Sequence, residues 1–152
     1  MFLYDRWYTA AQSDEVRDSP VGVCILNEPI VLFRLKNGLV VGLEDRCPHR
    51  HAPLSKGVVK EDFIECVYHG LRYNNTGRCV YVPTQRDIPD ELRVKTYTCI
   101  ERHGLIFTWM KGRAEPMGNY VYDFPWSDDE NWKEVFLHFE GNFNYQLLID
   151  NL

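Results

Sequence analysis

The chain has no run of apolar residues long enough to cross a bilayer. Its first residues, M-F-L-Y-D-R-W-Y, lack the shape of a secretion signal. A surplus of positive charge is missing too: 17 Lys and Arg against 22 Asp and Glu leave a formal net charge of -5. That balance gives no support to binding of nucleic acid or of an anionic membrane, and leans slightly toward a basic redox partner. Nor is there a disulfide framework, because the cysteines are odd in number at five, and scattered. Together these absences make a reducing, cytoplasmic setting the expectation. No signature of disorder is present either, since 45% of residues are hydrophobic and 26% charged. A chain of 152 residues with this composition can bury one core and begin a second.

What is present is concentrated between Arg46 and Tyr73, where the sequence reads R-C-P-H-R-H-A-P-L-S-K-G and then E-C-V-Y-H-G-L-R-Y. Cys47 stands with His49, Cys66 stands with His69, and 16 residues separate His49 from Cys66. A thiolate and an imidazole this close in sequence reach one centre only from a tight turn. Pro48, Pro53, Gly57 and Gly70 supply the turn chemistry. Two Cys and two His suit a single tetrahedral zinc. They equally suit a dinuclear iron–sulfur centre with both thiolates on one iron and both imidazoles on the other. In zinc fingers like ligands are neighbours, whereas here each loop carries one of each kind. The mixed order favours the dinuclear centre. Cys24, Cys79 and Cys99 then read as buried free thiols, and His51 and His103 as loop or turn residues.

The two loops closely resemble the Rieske iron–sulfur motif, C-x-H, a gap of about this length, then C-x-x-H-G. More narrowly, C-P-H-R-H-A-P-L-S-K-G and C-V-Y-H-G-L-R-Y are similar to the Rieske non-haem iron oxygenases, ring-hydroxylating and O-demethylating enzymes. The resemblance implies an all-β Rieske domain, a small antiparallel sandwich or barrel with two metal-binding hairpin loops. It implies a [2Fe-2S] cluster held by Cys47, His49, Cys66 and His69. Many members carry Gly or another small residue where His51 stands and Trp where Leu71 stands, departures that bear on subgroup. Rieske proteins of respiratory complexes join their loops by a disulfide, but Ala52 and Tyr68 occupy those positions here. They also place a serine hydroxyl near the cluster where this chain has Leu71. Each hydrogen bond to cluster sulfur raises the potential, so the resemblance implies a low-potential centre. Tyr73 is the remaining hydroxyl able to aim at a cysteine sulfur.

Around the loops, short apolar segments alternate with turn signals, as in an all-β sandwich or small barrel. Strands are expected over 23–26, 30–35, 39–44, 58–59, 63–66, 71–73, 78–82, 94–100 and 103–109. Asn27-Glu28-Pro29, Asn37-Gly38 and the run to Gly77 are the turns between some of them. Trp7 and Tyr8 read as packing anchors, and 12–19 as a polar stretch with one short helical turn. The β domain is expected to span 1–115, with a linker at 116–130 and the start of a truncated α+β catalytic domain at 131–152. That last part opens with a strand over 132–139, in which His138 is structural. A helix follows, capped by Asn144 and with Tyr145, Leu148 and Leu152 on one apolar face.

The tail N-Y-Q-L-L-I-D-N-L is similar to the start of the catalytic-domain helix in the oxygenases. By that resemblance the chain is cut short, and a mononuclear non-haem Fe(II) is held by residues beyond Leu152. Asn151 would be a second-sphere group of that iron. An Asp just past the same point would link the cluster of one subunit to the iron of its neighbour, which implies a homotrimer. The resemblance further implies a reductase or ferredoxin as electron donor, and hydroxylation or O-demethylation of an aromatic-type substrate. A freestanding Rieske ferredoxin is the competing reading, though such a carrier has no use for the tail helix. A zinc-bound interaction module is the third.

Overall fold

The computed structural model describes residues 2–116, 121, 123–135, 137, 139 and 141–151. The chain divides into two compact units, Met1–Tyr122 and Asp123–Leu152. In the first unit the strands are β1 (Arg6–Gln12), β2 (Val21–Ile25), β3 (Glu28–Arg34), β4 (Val40–Glu44), β5 (Val58–Lys60) and β6 (Phe63–Glu65). They continue with β7 (Arg72–Asn74), β8 (Cys79–Tyr81), β9 (Thr96–Tyr97), β10 (Cys99–Arg102) and β11 (Leu105–Met110).

Strand β3 shows why these strands stack as they do. Ile30, Val31, Leu32 and Phe33 form an unbroken apolar run, and all four are fully buried. A strand with water on one face alternates, so a continuous run demands cover on both faces. Ile30 and Leu32 enter one core with Val16, Val40, Tyr97, Ile106 and Met110. Val31 and Phe33 enter another with Val41, Leu43, Leu54, Ile64, Leu71 and Tyr73. The sheet β2-β3-β4-β9 is therefore the middle layer. The sheet β1-β11-β10 supplies Ile106 and Met110 on one side of it, and the meander β5-β6-β7-β8 supplies Ile64 and Tyr73 on the other. Every strand pairing among the described residues is antiparallel. The expected all-β sandwich is present, and the two Cys-His loops lie on the meander side.

Several local expectations shift, each for a physical reason. Trp7 and Tyr8 lie in a full strand, β1, and Trp7 packs edge-on against Trp109 across the pair at 5.3 Å. The turn after β2 is Leu26-Asn27, both left-handed at φ 51 and 63, which puts Pro29 inside β3 opposite Cys24. A two-residue turn with both φ positive matches the twist of paired strands, so it prevails over the Pro-containing alternative. Residues 13–19 form turns and bends instead of a helical turn. Arg34 satisfies their carbonyls, donating from Nε to Val16 O at 2.9 Å and from Nη2 to Ser13 O at 3.2 Å. Its other donors reach Gly38 O and both Glu101 carboxylate oxygens. Cys24 is exposed, contrary to the buried thiol expected, because it sits on the outward face of the edge strand β2. Cys79 is buried and Cys99 half-buried. His103 lies in the β10–β11 turn with φ 53, as expected of a turn residue.

The second unit holds a 3-10 turn, Pro125–Asp128, and helix α1, Tyr145–Ile149. Asn144 caps the helix as expected, its Oδ1 accepting the Gln146 N–H at 3.0 Å. Among the described residues of 132–139 there is no strand. Val135, Leu137 and Phe139 keep the alternating pattern but are exposed, and alternation makes a strand only where a neighbour offers backbone hydrogen bonds. His138, and Leu152 of the expected apolar face, lie outside the described residues.

Candidate metal centre

The two ligand loops share one backbone plan. In the first, the Cys47 carbonyl accepts the His51 N–H at 2.8 Å and the Cys47 N–H donates to Ala52 O at 2.8 Å. In the second, the Cys66 carbonyl accepts the Gly70 N–H at 2.9 Å and the Cys66 N–H donates to Leu71 O at 2.8 Å. The residue four beyond each cysteine is left-handed, His51 at φ 59 and Gly70 at φ 70. Glycine takes that conformation without strain, which explains the H-G of the second loop. His51 occupies the equivalent turn position, exposed.

This plan points the thiols inward and the imidazoles outward. Cys47 and Cys66 are 1% and 2% exposed, while His49 and His69 are exposed. The two imidazole rings lie 4.6 Å apart, and the Tyr68 ring packs on His69 at 3.9 Å. The two thiols face one another without forming a disulfide. Burial pushes the Cys66 thiol above its usual pKa, and Cys47 pushes the same way, while the backbone N–H groups of Tyr68 and His69 pull it down. The Tyr73 hydroxyl lies 3.2 Å from Cys47 Sγ. Burial first, then Cys47, raises the Tyr73 pKa, so the hydroxyl keeps its proton and can donate it to a thiolate.

Donors grouped as a thiol pair and an imidazole pair fit a dinuclear cluster with two ligands on each metal. Two thiolates in a dry pocket are costly unless cations lie against them, and amide and hydroxyl donors aimed at sulfur are suited to the remaining charge. A groove of about 590 Å³ starts at His49 and His69 and continues between Pro48, Leu71, Val82, Pro83, Pro89 and Leu92. Asn151 belongs to the second unit, where its Nδ2 donates to Leu147 O at 2.5 Å.

Other residues that hold the loops were not apparent from the motif. Asp45 binds Ser55 through both carboxylate oxygens, at 2.6 Å each. Glu65, just before Cys66, accepts from Arg72 Nε at 2.7 Å and from Lys60 Nζ at 2.9 Å. Lys60 first and then Arg72 hold its carboxyl below the usual range. The Arg72 guanidinium lies over the Phe63 and Tyr81 rings at 4.8 and 4.4 Å. Gly57, last residue of A-P-L-S-K-G, passes so close to β6 that a Cβ would stand 2.2 Å from the Glu65 carbonyl oxygen. Charged residues flanking both cysteines were the visible signal, but their partners are set by the fold.

Comparison with known proteins shows the family. Residues 6–98 match the model of the Rieske [2Fe-2S] domain. The whole chain is 39% identical to 44% of the putative toluene-4-sulfonate monooxygenase system iron-sulfur subunit of Comamonas testosteroni. It is 36% identical to the oxygenase component of dicamba O-demethylase of Stenotrophomonas maltophilia, over 99% of this chain and 45% of that protein. The crystal structure of dicamba monooxygenase bound to 3,6-dichlorosalicylic acid superposes with a TM-score of 0.92, over 99% of this chain and 44% of that one. The chain thus spans less than half the length of these relatives.

Proposed function

The chain belongs to the Rieske [2Fe-2S] domain family, closely related to Rieske-type oxygenase α subunits, and on that premise we propose that it is the electron-transfer portion of such an oxygenase. Cys47 and Cys66 would hold one iron of a [2Fe-2S] cluster, and His49 and His69 would hold the other. The cluster, when bound, accepts and gives up single electrons. The chain's own residues set the conditions for that exchange. Buried thiols and Leu71 keep water from the sulfur side, the Tyr73 hydroxyl donates to Cys47, and the exposed imidazoles offer the shortest path to a partner.

In the full protein a reductase or ferredoxin would supply the electron, and a mononuclear non-haem iron would be the group that receives it for oxygen chemistry. The names of the relatives favour hydroxylation or O-demethylation of an aromatic-type substrate. Asn151 is the candidate second-sphere group of that iron, and the full protein is a homotrimer in the cytoplasm. No described helix is long and apolar enough to cross a membrane.

The inward thiol pair beside the outward imidazole pair carries this reading. Anaerobic reconstitution of the chain with iron and sulfide tests it. The expected product is red-brown, contains about two irons and two acid-labile sulfides per chain, and gives a rhombic EPR signal when reduced. His69→Ala or Cys66→Ser should abolish that signal. A colourless protein that takes up zinc alone overturns the assignment.

A further inference from the structure

The first ligand loop leaves β4 of the middle sheet at Asp45 and ends in the 3-10 turn Leu54–Lys56 that leads into β5 of the meander, and a pair of hydrogen bonds between Asp45 and Ser55 closes its neck. Asp45 Oδ1 accepts the Ser55 N–H and Oδ2 accepts the Ser55 hydroxyl, both at 2.6 Å. The Asp45 N–H in turn donates to Pro29 O at 2.9 Å, fixing one side of the neck to β3. Leu54 is fully buried in the core and fixes the other. Strand β2 makes room for the pair: a Cβ on Gly22 would meet Ser55 Oγ at 2.9 Å and Asp45 Oδ2 at 3.2 Å. A glycine in mid-strand forfeits packing, and here the vacated space holds the Asp45–Ser55 contact.

We propose that Asp45, Ser55 and Gly22 form a clasp that positions the Cys47–His49 loop, so that cluster retention and the cluster's electronic signature depend on a hydrogen bond outside the ligand set. The inference rests on the cluster reading above. Within the loop, the Cys47 bonds to His51 and Ala52 fix the local turn but not its direction relative to the second loop. The clasp supplies that direction. A carboxylate accepting two short bonds is a strong tie, and residues that orient metal ligands commonly change affinity without touching the metal. All three are positioning residues.

The test uses the reconstituted full chain. Ser55→Ala removes the hydroxyl bond, and Gly22→Ala presses on the same contact from β2. Both should release iron to a chelator about 10- to 100-fold faster than the parent and alter the spread of the reduced-state EPR g-values. Asp45→Asn can keep both hydrogen bonds, with the serine hydroxyl turned to accept, and should stay near the parent. The melting temperature of the iron-free chain should remain near the parent's in all three. Parental release rates and g-values in Ser55→Ala and Gly22→Ala overturn the proposal. A melting temperature that falls in step with iron release also overturns it, since the contact then serves the fold and not the loop. A parent chain that takes up no iron overturns the cluster reading, and the clasp with it.

Discussion

The Tyr73 hydroxyl lies 3.2 Å from the Cys47 sulfur, and both side chains are out of water. In β7, Tyr73 stands opposite Ile64 on one neighbouring strand and Cys79 on the other, so its ring is held from both sides. A protonated hydroxyl aimed at a thiolate stabilises the electron-rich state of whatever metal that thiolate binds. Leu71, at the place where high-potential relatives carry serine, is buried and has no donor to add.

Tyr73→Phe should therefore lower the reduction potential of the reconstituted cluster without removing iron. A hydrogen bond of about 1 kcal/mol corresponds to roughly 40 mV for a one-electron couple, and a charge-assisted bond to more. A redox titration followed by EPR measures the change. A potential that stays or rises shows that Tyr73 donates elsewhere.

The four candidate ligands were legible in the sequence because their chemistry is carried by residue type and spacing within two short segments. The Asn37-Gly38 hairpin was legible for a similar reason, a local turn preference, while 30–35 was read only as a strand and its burial on both faces came from the sheets that cover it. What was not legible depends on neighbours far along the chain. Cys24 looks like its buried counterparts in sequence, and only the edge position of β2 turns it outward. The carbonyls of Ser13 and Val16 need no helix because Arg34, 18 residues beyond Val16, donates to both. Ser55 is one polar residue in a turn until β4 brings Asp45 against it.

Gly57 carries a sharper expectation. Its notional Cβ would stand 2.2 Å from Glu65 O and 2.9 Å from Leu54 O, both backbone atoms that cannot swing away as a side chain could. Gly57→Ala must separate the 3-10 turn at Leu54–Lys56 from β6 and should cost about 2 kcal/mol or more in urea unfolding. A variant as stable as the parent shows that the two segments can part freely.

His51 offers a contrast. At φ 59 it bears left-handed strain of about 1 kcal/mol, which glycine would relieve while adding a similar entropy to the unfolded chain. His51→Gly should thus leave stability within about 1 kcal/mol and leave the iron content unchanged. His51→Val, β-branched in a left-handed position, should be destabilised by about 1–2 kcal/mol. Loss of iron from His51→Gly would mark His51 as a ligand, and the assignment of His49 would fall.

Acid should weaken the fold through its ion-paired carboxylates. Lys60 and then Arg72 lower the Glu65 pKa from 4.5, and Arg34 lowers that of Glu101 from 4.5, against the opposing effect of burial. Because both folded-state values lie below the unfolded one, the unfolded chain binds more protons as pH falls through this range. Their contribution is therefore complete above about pH 4.5 and is lost as pH drops toward the folded values. The urea midpoint of the iron-free chain should change little with these groups between neutrality and about pH 5, then decline. Glu65→Gln with Glu101→Gln should start lower at neutral pH and decline less steeply in acid, since neither position can then take up a proton. An acid decline as steep as the parent's assigns the loss to other carboxylates, with Glu28, lowered by Lys95 and Tyr97 against its burial, next to be replaced.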